Sequence, residues 1–164
     1  MQTLFPQIKP YARHELAVDG PHVLYVDESG SPDGLPVVFV HGGPTSACYP
    51  TFDPRIQFWT QRGFAVADLN YRGSSGYGRA YRLRLAGQWG ELEVEDIRAA
   101  IDSLASNDSI DPQRVFVRGG SAGGFSALRA LVELPQLRGG ASLYGVSDPL
   151  ALRRVDRKST RLNS

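Results

Sequence analysis

The sequence is short of three features that would each point to a particular environment. It has one cysteine, Cys48, so an internal disulfide is excluded, and a lone thiol fits a reducing compartment. The formal net charge is +1, which leaves no strong field to attract nucleic acid or anionic lipid. The longest apolar runs, such as 37–40, are too short to cross a bilayer, and prolines interrupt the N-terminal stretch where an export signal needs an apolar core. We therefore expect a cytoplasmic protein without nucleic-acid or membrane partners.

The segments that are present alternate between strand-like and helix-like patterns. Two short alternating stretches flank the dipeptide Asp19-Gly20, which is typical of a hairpin turn. Apolar runs without alternation follow, as expected for strands buried on both faces, together with helices that repeat apolar residues at three- and four-residue spacing. The predicted strands lie at 35–43, 64–70, 114–118 and 139–145, and the predicted helices at 53–63, 91–105 and 124–134. This order predicts an α/β fold with a mostly parallel sheet and an N-terminal antiparallel hairpin.

A serine between glycines, in the stretch RGGSAGG, is the clearest chemical motif. Gly119-x-Ser121-x-Gly123 follows a predicted strand and precedes a predicted helix, as in a nucleophile elbow, where glycines let backbone segments approach closely. The N–H of Ala122 can then face a developing oxyanion. A glycine-rich anion loop is the alternative, but the stretch lacks both the lysine of a phosphate loop and the G-x-G-x-x-G of a dinucleotide site. We predict that Ser121 is a nucleophile and Ala122 an oxyanion donor.

A second glycine motif, HGGP at 41–44, follows the first buried strand. In hydrolases with a nucleophile elbow, the loop at this place supplies the second oxyanion donor. We assign that role to the backbone N–H of Gly43. A plain glycine-proline turn is the alternative, and the order of the two motifs along the chain favours the functional interpretation.

Residues from about 42 to 155 resemble the catalytic domain of the prolyl oligopeptidase family, in its dipeptidyl-peptidase and acylaminoacyl-peptidase branch. The stretches that carry the resemblance are HGGPTSA, QFWTQRGFAVADLNYRGSSGYGRAYR, GQWGELEVEDI, DPQRVFVRGGSAGGFSAL and GASLYGVSDPLAL. The resemblance implies an α/β-hydrolase fold and a serine-type peptidase that acts on peptides, with Ser121 as nucleophile and no cofactor or metal. The first 44 residues, with LFPQIKPY and DESGSPDGLPVVFVHGGP, instead resemble the amino terminus of a proline iminopeptidase, which is another α/β-hydrolase.

The sequence offers no base for the serine in the expected order. In this fold the triad runs serine, acid, histidine, yet His14, His22 and His41 all precede Ser121. We expect His14 and His22 to be exposed on the hairpin, and His41 to bond the oxyanion loop rather than act as base. Asp148 follows the last strand, but an acid has nothing to orient without a histidine. We therefore assign no triad acid or histidine.

Other polar residues have simpler structural interpretations. The acids at 91, 93, 95 and 96 could be interpreted as a metal cluster. We prefer a solvated first helical turn, where the helix dipole favours negative charge. We expect the arginines at 72, 79, 82 and 84 to be surface charges paired with those acids, rather than a substrate or nucleic-acid site. Asp68 is predicted to be a structural hydrogen bonder, and Trp59 and Trp89 are predicted to lie in the core.

These patterns together predict a partial α/β-hydrolase domain over 1–156, truncated before the last strands. A disordered tail is expected at 157–164, where the sequence matches neither family and suggests non-native residues. The last strand would then present an open edge, which favours self-association. We predict a serine peptidase with little or no activity in this chain. The alternatives are a small-ester hydrolase of the same fold and a non-catalytic binding module.

Overall fold

The computed structural model describes residues 9–49 and 51–151 of the chain. Within those ranges the strands and helices are β1 (Ala12–Asp19), β2 (His22–Gly30), β3 (Leu35–Val40), α1 (Pro54–Thr60), β4 (Phe64–Asn70), α2 (Arg79–Leu83), α3 (Leu92–Ser106), β5 (Phe116–Gly120), α4 (Ala122–Glu133) and β6 (Gly139–Leu143). The predicted domain end at 156 and the predicted disordered tail at 157–164 lie outside the described residues. No helix in the described ranges has the length and apolarity that a membrane crossing requires.

The strands form one sheet in the order β1-β2-β4-β3-β5-β6. β1 and β2 pair antiparallel as a hairpin, and β2 also pairs antiparallel with β4. β4, β3, β5 and β6 run parallel to one another. The structure therefore confirms both the predicted hairpin and the mostly parallel sheet. Because parallel strands point the same way, the segments that follow β3, β4 and β5 meet at one edge of the sheet.

The first helix begins where its sequence indicates but ends at Thr60, three residues before the predicted stop at Gly63. The Asp53 side chain accepts a hydrogen bond from the Arg55 N–H at 2.8 Å, and Pro54 occupies the first helical position. Gly63 has φ +80°, in the left-handed region, and directly precedes β4. Local capping chemistry was therefore enough to place α1.

Apolar side chains cover both faces of the sheet. The larger cluster lies under α3 and α4, where Leu69 of the sheet packs in the same core as Ile97 of α3, with Trp89 against it. On the other face, Phe39 packs with Trp59 of α1. Strands buried in this way read as continuous apolar runs, as predicted, and both tryptophans contribute to packing.

In the described part of the chain, β6 has one neighbouring strand, β5, and its outer side is open. The middle of β6 is exposed. Large apolar side chains stand in solvent nearby in the sequence: Val132 of α4 is 84% exposed and Tyr144, directly after β6, is 79% exposed. This edge and these side chains form the surface that the sequence predicted to be prone to association.

Candidate active site

Ser121 lies at the junction between β5 and α4, where the chain turns sharply. Its backbone has φ +55° and ψ −122°, a conformation that costs a non-glycine residue about 1–3 kcal/mol. Two of its backbone hydrogen bonds come from the segment around β6: the Ser121 N–H donates to Leu143 O at 3.1 Å, and the Val146 N–H donates to Ser121 O at 3.1 Å. Ser121 is exposed. The surrounding backbone thus supports a strained turn that leaves the serine open to solvent.

The glycines of the motif are required by close backbone approach. A Cβ on Gly119 would stand 2.0 Å from Gly123 O. A Cβ on Gly123 would stand 2.3 Å from Val40 O and 2.5 Å from His41 O. These separations leave no room for any side chain, because the opposing atoms belong to the backbone. The elbow and the end of β3 are therefore packed directly against each other.

The HGGP loop lies against the elbow. A Cβ built on Gly42 would stand 3.0 Å from Gly120 O and 3.3 Å from the Ser121 Cβ. Gly43 comes next and is exposed, with φ +135°. Ala122 is the first residue of α4, so its N–H has no acceptor within the helix. The two predicted donors thus flank the serine on one edge of the sheet, and their role as oxyanion donors stays a prediction.

Both ring nitrogens of His41 are engaged, one by the HGGP loop and the other by Ser74. Its Nδ1 lies 2.8 Å from Gly42 O and its Nε2 lies 2.7 Å from Ser74 Oγ. Burial lowers the pKa of His41 to about 4, so the ring is neutral at pH 7. His41 therefore braces the loop, as predicted, and is not a hydrogen-bond partner of Ser121.

The other two histidines lie on the hairpin, several strands from β5. His14 Nε2 contacts Glu28 Oε1, and His22 Nδ1 lies 2.9 Å from Asp19 Oδ1. Their side chains are only 16% and 15% exposed, so the prediction that they are exposed is wrong. Each has a carboxylate partner that holds it against the sheet. In residues 9–49 and 51–151, no histidine bonds the Ser121 side chain.

A cleft of about 380 Å³ opens beside Ser121. Asp68 of β4, Arg118 of β5 and the ring of Tyr144 all line it. Burial raises the pKa of Asp68 to about 7. Burial also lowers the pKa of Arg118. Asp68 contributes a carboxyl to the cleft wall, which its position in an apolar strand did not indicate, and its role as a structural hydrogen bonder stays a prediction.

The acids at the start of α3 do not form the solvated turn that the sequence predicted. Glu93 and Asp96 have 0% exposure, whereas Glu91 and Glu95 are exposed. Helical spacing explains the error. Glu93 lies four residues before the buried Ile97, and Asp96 lies four residues before the buried Ala100, so both acids fall on the buried face of α3. Within the described ranges, no three acidic, histidine or cysteine side chains come together as a metal site requires.

Glu93 joins α3 to α4, the helix that follows Ser121. Its carboxyl accepts hydrogen bonds from the Gly90 N–H at 2.8 Å and from the Ser126 hydroxyl at 3.1 Å. Ser126 lies on α4, five residues after Ser121. Burial raises the pKa of Glu93 to about 7, although these hydrogen bonds oppose the shift. Sequence analysis missed this contact, because it depends on how α3 packs against α4.

Arg72 is buried, so the prediction of a surface charge is wrong at this position. Its side chain is 6% exposed and lies 2.6 Å from the Asp96 carboxylate and 2.8 Å from Asp19. The Arg72 N–H also donates to Asp96 Oδ2 at 2.6 Å. The pairing with the acids of α3 was predicted correctly, but the pair forms inside the fold. Arg79 and Arg82 are exposed, as predicted.

A serine on a strained strand-to-helix turn, beside a glycine-rich loop on a mostly parallel sheet, defines the class of α/β-hydrolases. The family model described as "Prolyl oligopeptidase family" matches residues 50–158. The chain therefore belongs to the prolyl oligopeptidase family, as its motifs predicted.

Individual relatives agree with this assignment. The chain is 35% identical over 117 residues to "Dipeptidyl peptidase family member 6" of Caenorhabditis elegans, covering 71% of this chain and 16% of the relative. It is 35% identical over 123 residues to "Probable proline iminopeptidase" of Leptolyngbya boryana, covering 75% of this chain and 35% of the relative. Among solved structures, a puromycin-hydrolyzing peptidase of Mycobacterium tuberculosis matches with 36% identity and a TM-score of 0.80, covering 90% of this chain and 25% of that one. The chain thus spans a small part of the length of the relatives it matches.

Proposed function

We propose that Ser121 is the nucleophile of a peptidase that cuts peptide bonds through an acyl-enzyme. The observation that carries this proposal is the φ of +55° at Ser121, held by backbone bonds to Leu143 and Val146. Strain of this kind persists only where the surroundings over-determine it, and it clusters at active sites. Membership of a peptidase family supports peptides as the substrate class.

The reaction needs a nucleophile, two oxyanion donors and a base. Ser121 Oγ adds to the scissile carbonyl carbon, its proton passes to the base, and the carbonyl electron pair moves to the oxygen. The N–H groups of Gly43 and Ala122 stabilise that oxyanion. Collapse expels the amine, which takes the proton and leaves an ester on Ser121. Water then hydrolyses the ester by the same steps, and no cofactor takes part.

The base sets the expected rate. In the described residues the Ser121 hydroxyl has no basic hydrogen-bond partner, and His41 is engaged by Gly42 and Ser74. Sites that lack one triad member keep a residual rate of about 10³–10⁴ over water, which the oxyanion hole and binding supply. For the 164-residue chain we therefore propose slow acylation of Ser121, with weak or no turnover of peptides.

The substrate class can be narrowed by the relatives. One is named a dipeptidyl peptidase and another a proline iminopeptidase, and both names support an aminopeptidase-type cut near the amino end of a peptide. A small activated ester is an alternative substrate, since the open cleft of about 380 Å³ admits one and its leaving group needs no proton.

The test is stoichiometric acylation. The chain is mixed with a p-nitrophenyl ester and, separately, with an aminoacyl-naphthylamide, and the modified peptide is located by mass spectrometry. We expect the ester to place one acyl group on Ser121 and the amide to react far more slowly. Ser121→Ala should abolish the modification, while Ser147→Ala, a change at a nearby exposed serine, should not. Acylation that persists at equal rate in Ser121→Ala would reject the proposal.

We also propose that the chain is cytoplasmic and self-associates through the open side of β6. The free thiol of Cys48 supports a reducing compartment, and the exposed Val132 and Tyr144 support association. Sedimentation velocity over a hundredfold concentration range measures the second part. A monomer throughout that range would contradict it.

A further inference from the structure

The HGGP loop has no strand partner at the positions of its two glycines, yet its backbone must be held still if Gly43 is to donate to an oxyanion. Residues 41–44 lie beyond the end of β3 at Val40, outside any regular element. Gly43 is exposed, so packing around it does not fix its direction. The contacts that orient this loop must therefore come from beneath it.

Tyr71 provides those contacts from the segment that follows β4. It has 0% exposure, and its hydroxyl lies 2.8 Å from Pro44 O and 3.2 Å from His41 O. These two carbonyls flank the glycine pair on either side. One hydroxyl proton is thus shared between the carbonyls at the two ends of the loop. This contact fixes the distance that Gly42 and Gly43 must bridge.

The ring of Tyr71 is also part of this brace. His41 stacks on it with ring centroids 4.2 Å apart and an interplanar angle of 16°. The Ser74 hydroxyl lies 2.7 Å from His41 Nε2 and 2.7 Å from Tyr71 O. His41 in turn bonds Gly42 O through Nδ1. The loop is therefore held at three of its four carbonyls: Tyr71 holds those of His41 and Pro44, and the His41 ring holds that of Gly42.

We propose that Tyr71 is a positioning residue for the oxyanion donor: its buried hydroxyl, which bridges the carbonyls of His41 and Pro44, directs the N–H of Gly43 toward the carbonyl bound at Ser121. This proposal rests on the proposed function of Ser121 and Gly43. Catalysis by a preorganised donor depends on the direction of its N–H. A small displacement of the loop therefore reduces the stabilisation of the transition state more than that of the ground state.

The test compares two tyrosine-to-phenylalanine variants that differ only in what the lost hydroxyl holds. Tyr71→Phe removes the bridge and keeps the ring under His41. Tyr81→Phe is the matched control, because Tyr81 is also buried and its hydroxyl donates to one backbone carbonyl, Asn70 O, at 2.7 Å. Urea unfolding, the amide ¹H–¹⁵N resonance of Gly43 and the rate of Ser121 acylation by a p-nitrophenyl ester are measured for each.

We expect both variants to lose similar stability, while only Tyr71→Phe moves the Gly43 amide resonance and slows acylation by at least about tenfold. Removal of one oxyanion donor costs on the order of 10²–10³ in rate, so a misdirected donor should cost a part of that. If Tyr71→Phe changes the Gly43 resonance and the acylation rate no more than Tyr81→Phe does, the proposal is wrong.

Two further results remain informative. If the wild-type chain is not acylated at Ser121, the proposed function fails, but the Gly43 resonance still decides whether Tyr71 orients the loop. If Tyr71→Phe does not fold, 3-fluorotyrosine incorporated at position 71 replaces it, since the fluorine alters the bridging hydroxyl and keeps the ring under His41. The proposal then expects the Gly43 resonance to shift more than it does with 3-fluorotyrosine at position 81, and a shift no larger than that control would overturn it.

Discussion

The buried carboxyl of Glu93 should make the stability of this fold depend on pH, and replacing it with glutamine should remove that dependence. Glu93 has 0% exposure and no cationic partner among the described residues. Its partners are the Gly90 N–H and the Ser126 hydroxyl, which are neutral. A glutamine can keep both contacts, because its oxygen accepts from Gly90 and its NH₂ donates to the Ser126 oxygen.

The size and sign of the effect follow from the two pKa values. The pKa of Glu93 is raised from the ordinary value of 4.5 to about 7 in the folded chain. Between these values the folded chain holds a proton that the unfolded chain has lost, so the free energy of unfolding falls as pH rises. The difference corresponds to about 3 kcal/mol at 1.36 kcal/mol per pH unit. That contribution is fully present below pH 4.5 and lost above pH 7.

Urea unfolding from pH 4.5 to 8.5 measures this dependence. Glu93→Gln should match the wild type at pH 4.5 and exceed its free energy of unfolding by about 3 kcal/mol at pH 8. Asp68, whose pKa is also raised to about 7, contributes equally to both proteins and cancels in the difference. Glu91→Gln, at an exposed neighbouring position, controls for the loss of one negative charge. A difference between Glu93→Gln and the wild type that stays constant with pH would refute the reasoning.

Two further predictions concern packing around the site. Arg72→Met leaves the fully buried Asp96 without its charge partner, so we expect the free energy of unfolding in urea to fall by about 3–5 kcal/mol. The exposed control Arg82→Met should lower it by less than about 0.5 kcal/mol. A loss under about 1 kcal/mol for Arg72→Met would contradict the buried pair. Gly123→Ala places a Cβ 2.3 Å from Val40 O and should cost about 3 kcal/mol by thermal melting, whereas a Cβ on Gly139 meets nothing closer than 3.6 Å and Gly139→Ala should be nearly neutral. Equal melting temperatures for the two alanine variants would show that the elbow can relax.

Features that depend on neighbouring residues along the chain were predictable from the sequence. The cap of α1 at Asp53, the hairpin at Asp19-Gly20 and the elbow at Ser121 each follow from a few adjacent residues whose backbone requirements are specific. The mostly parallel sheet follows from the order of these segments. Backbone geometry of this kind is encoded by adjacent residues, so it can be recognised in the sequence without knowledge of the tertiary structure.

Polar residues inside the fold were predicted poorly, because their burial depends on distant elements. Glu93 and Asp96 resemble solvated acids at a helix start, and Arg72 resembles a loop cation, until α3 is placed against the segment after β4. The helical period could have indicated the burial of both acids on α3, since Glu93 lies four residues before Ile97. Asp96 directly precedes Ile97 and lies four residues before Ala100, so the helical period places it beside the apolar face rather than opposite it.

The site therefore depends on residues that its motif does not contain. The strained turn at Ser121 needs the carbonyl of Leu143 and the amide of Val146, both from the segment around β6. The HGGP loop is bonded by Tyr71, from the segment after β4, and the helix after Ser121 is bonded by Glu93, from α3. Each support lies at least 20 residues from the group it holds, so the whole sheet edge must be assembled before the serine takes its conformation. It follows that the glycine–serine motif locates the candidate nucleophile, whereas the rate that we propose for it depends on buried polar contacts made only in the folded chain.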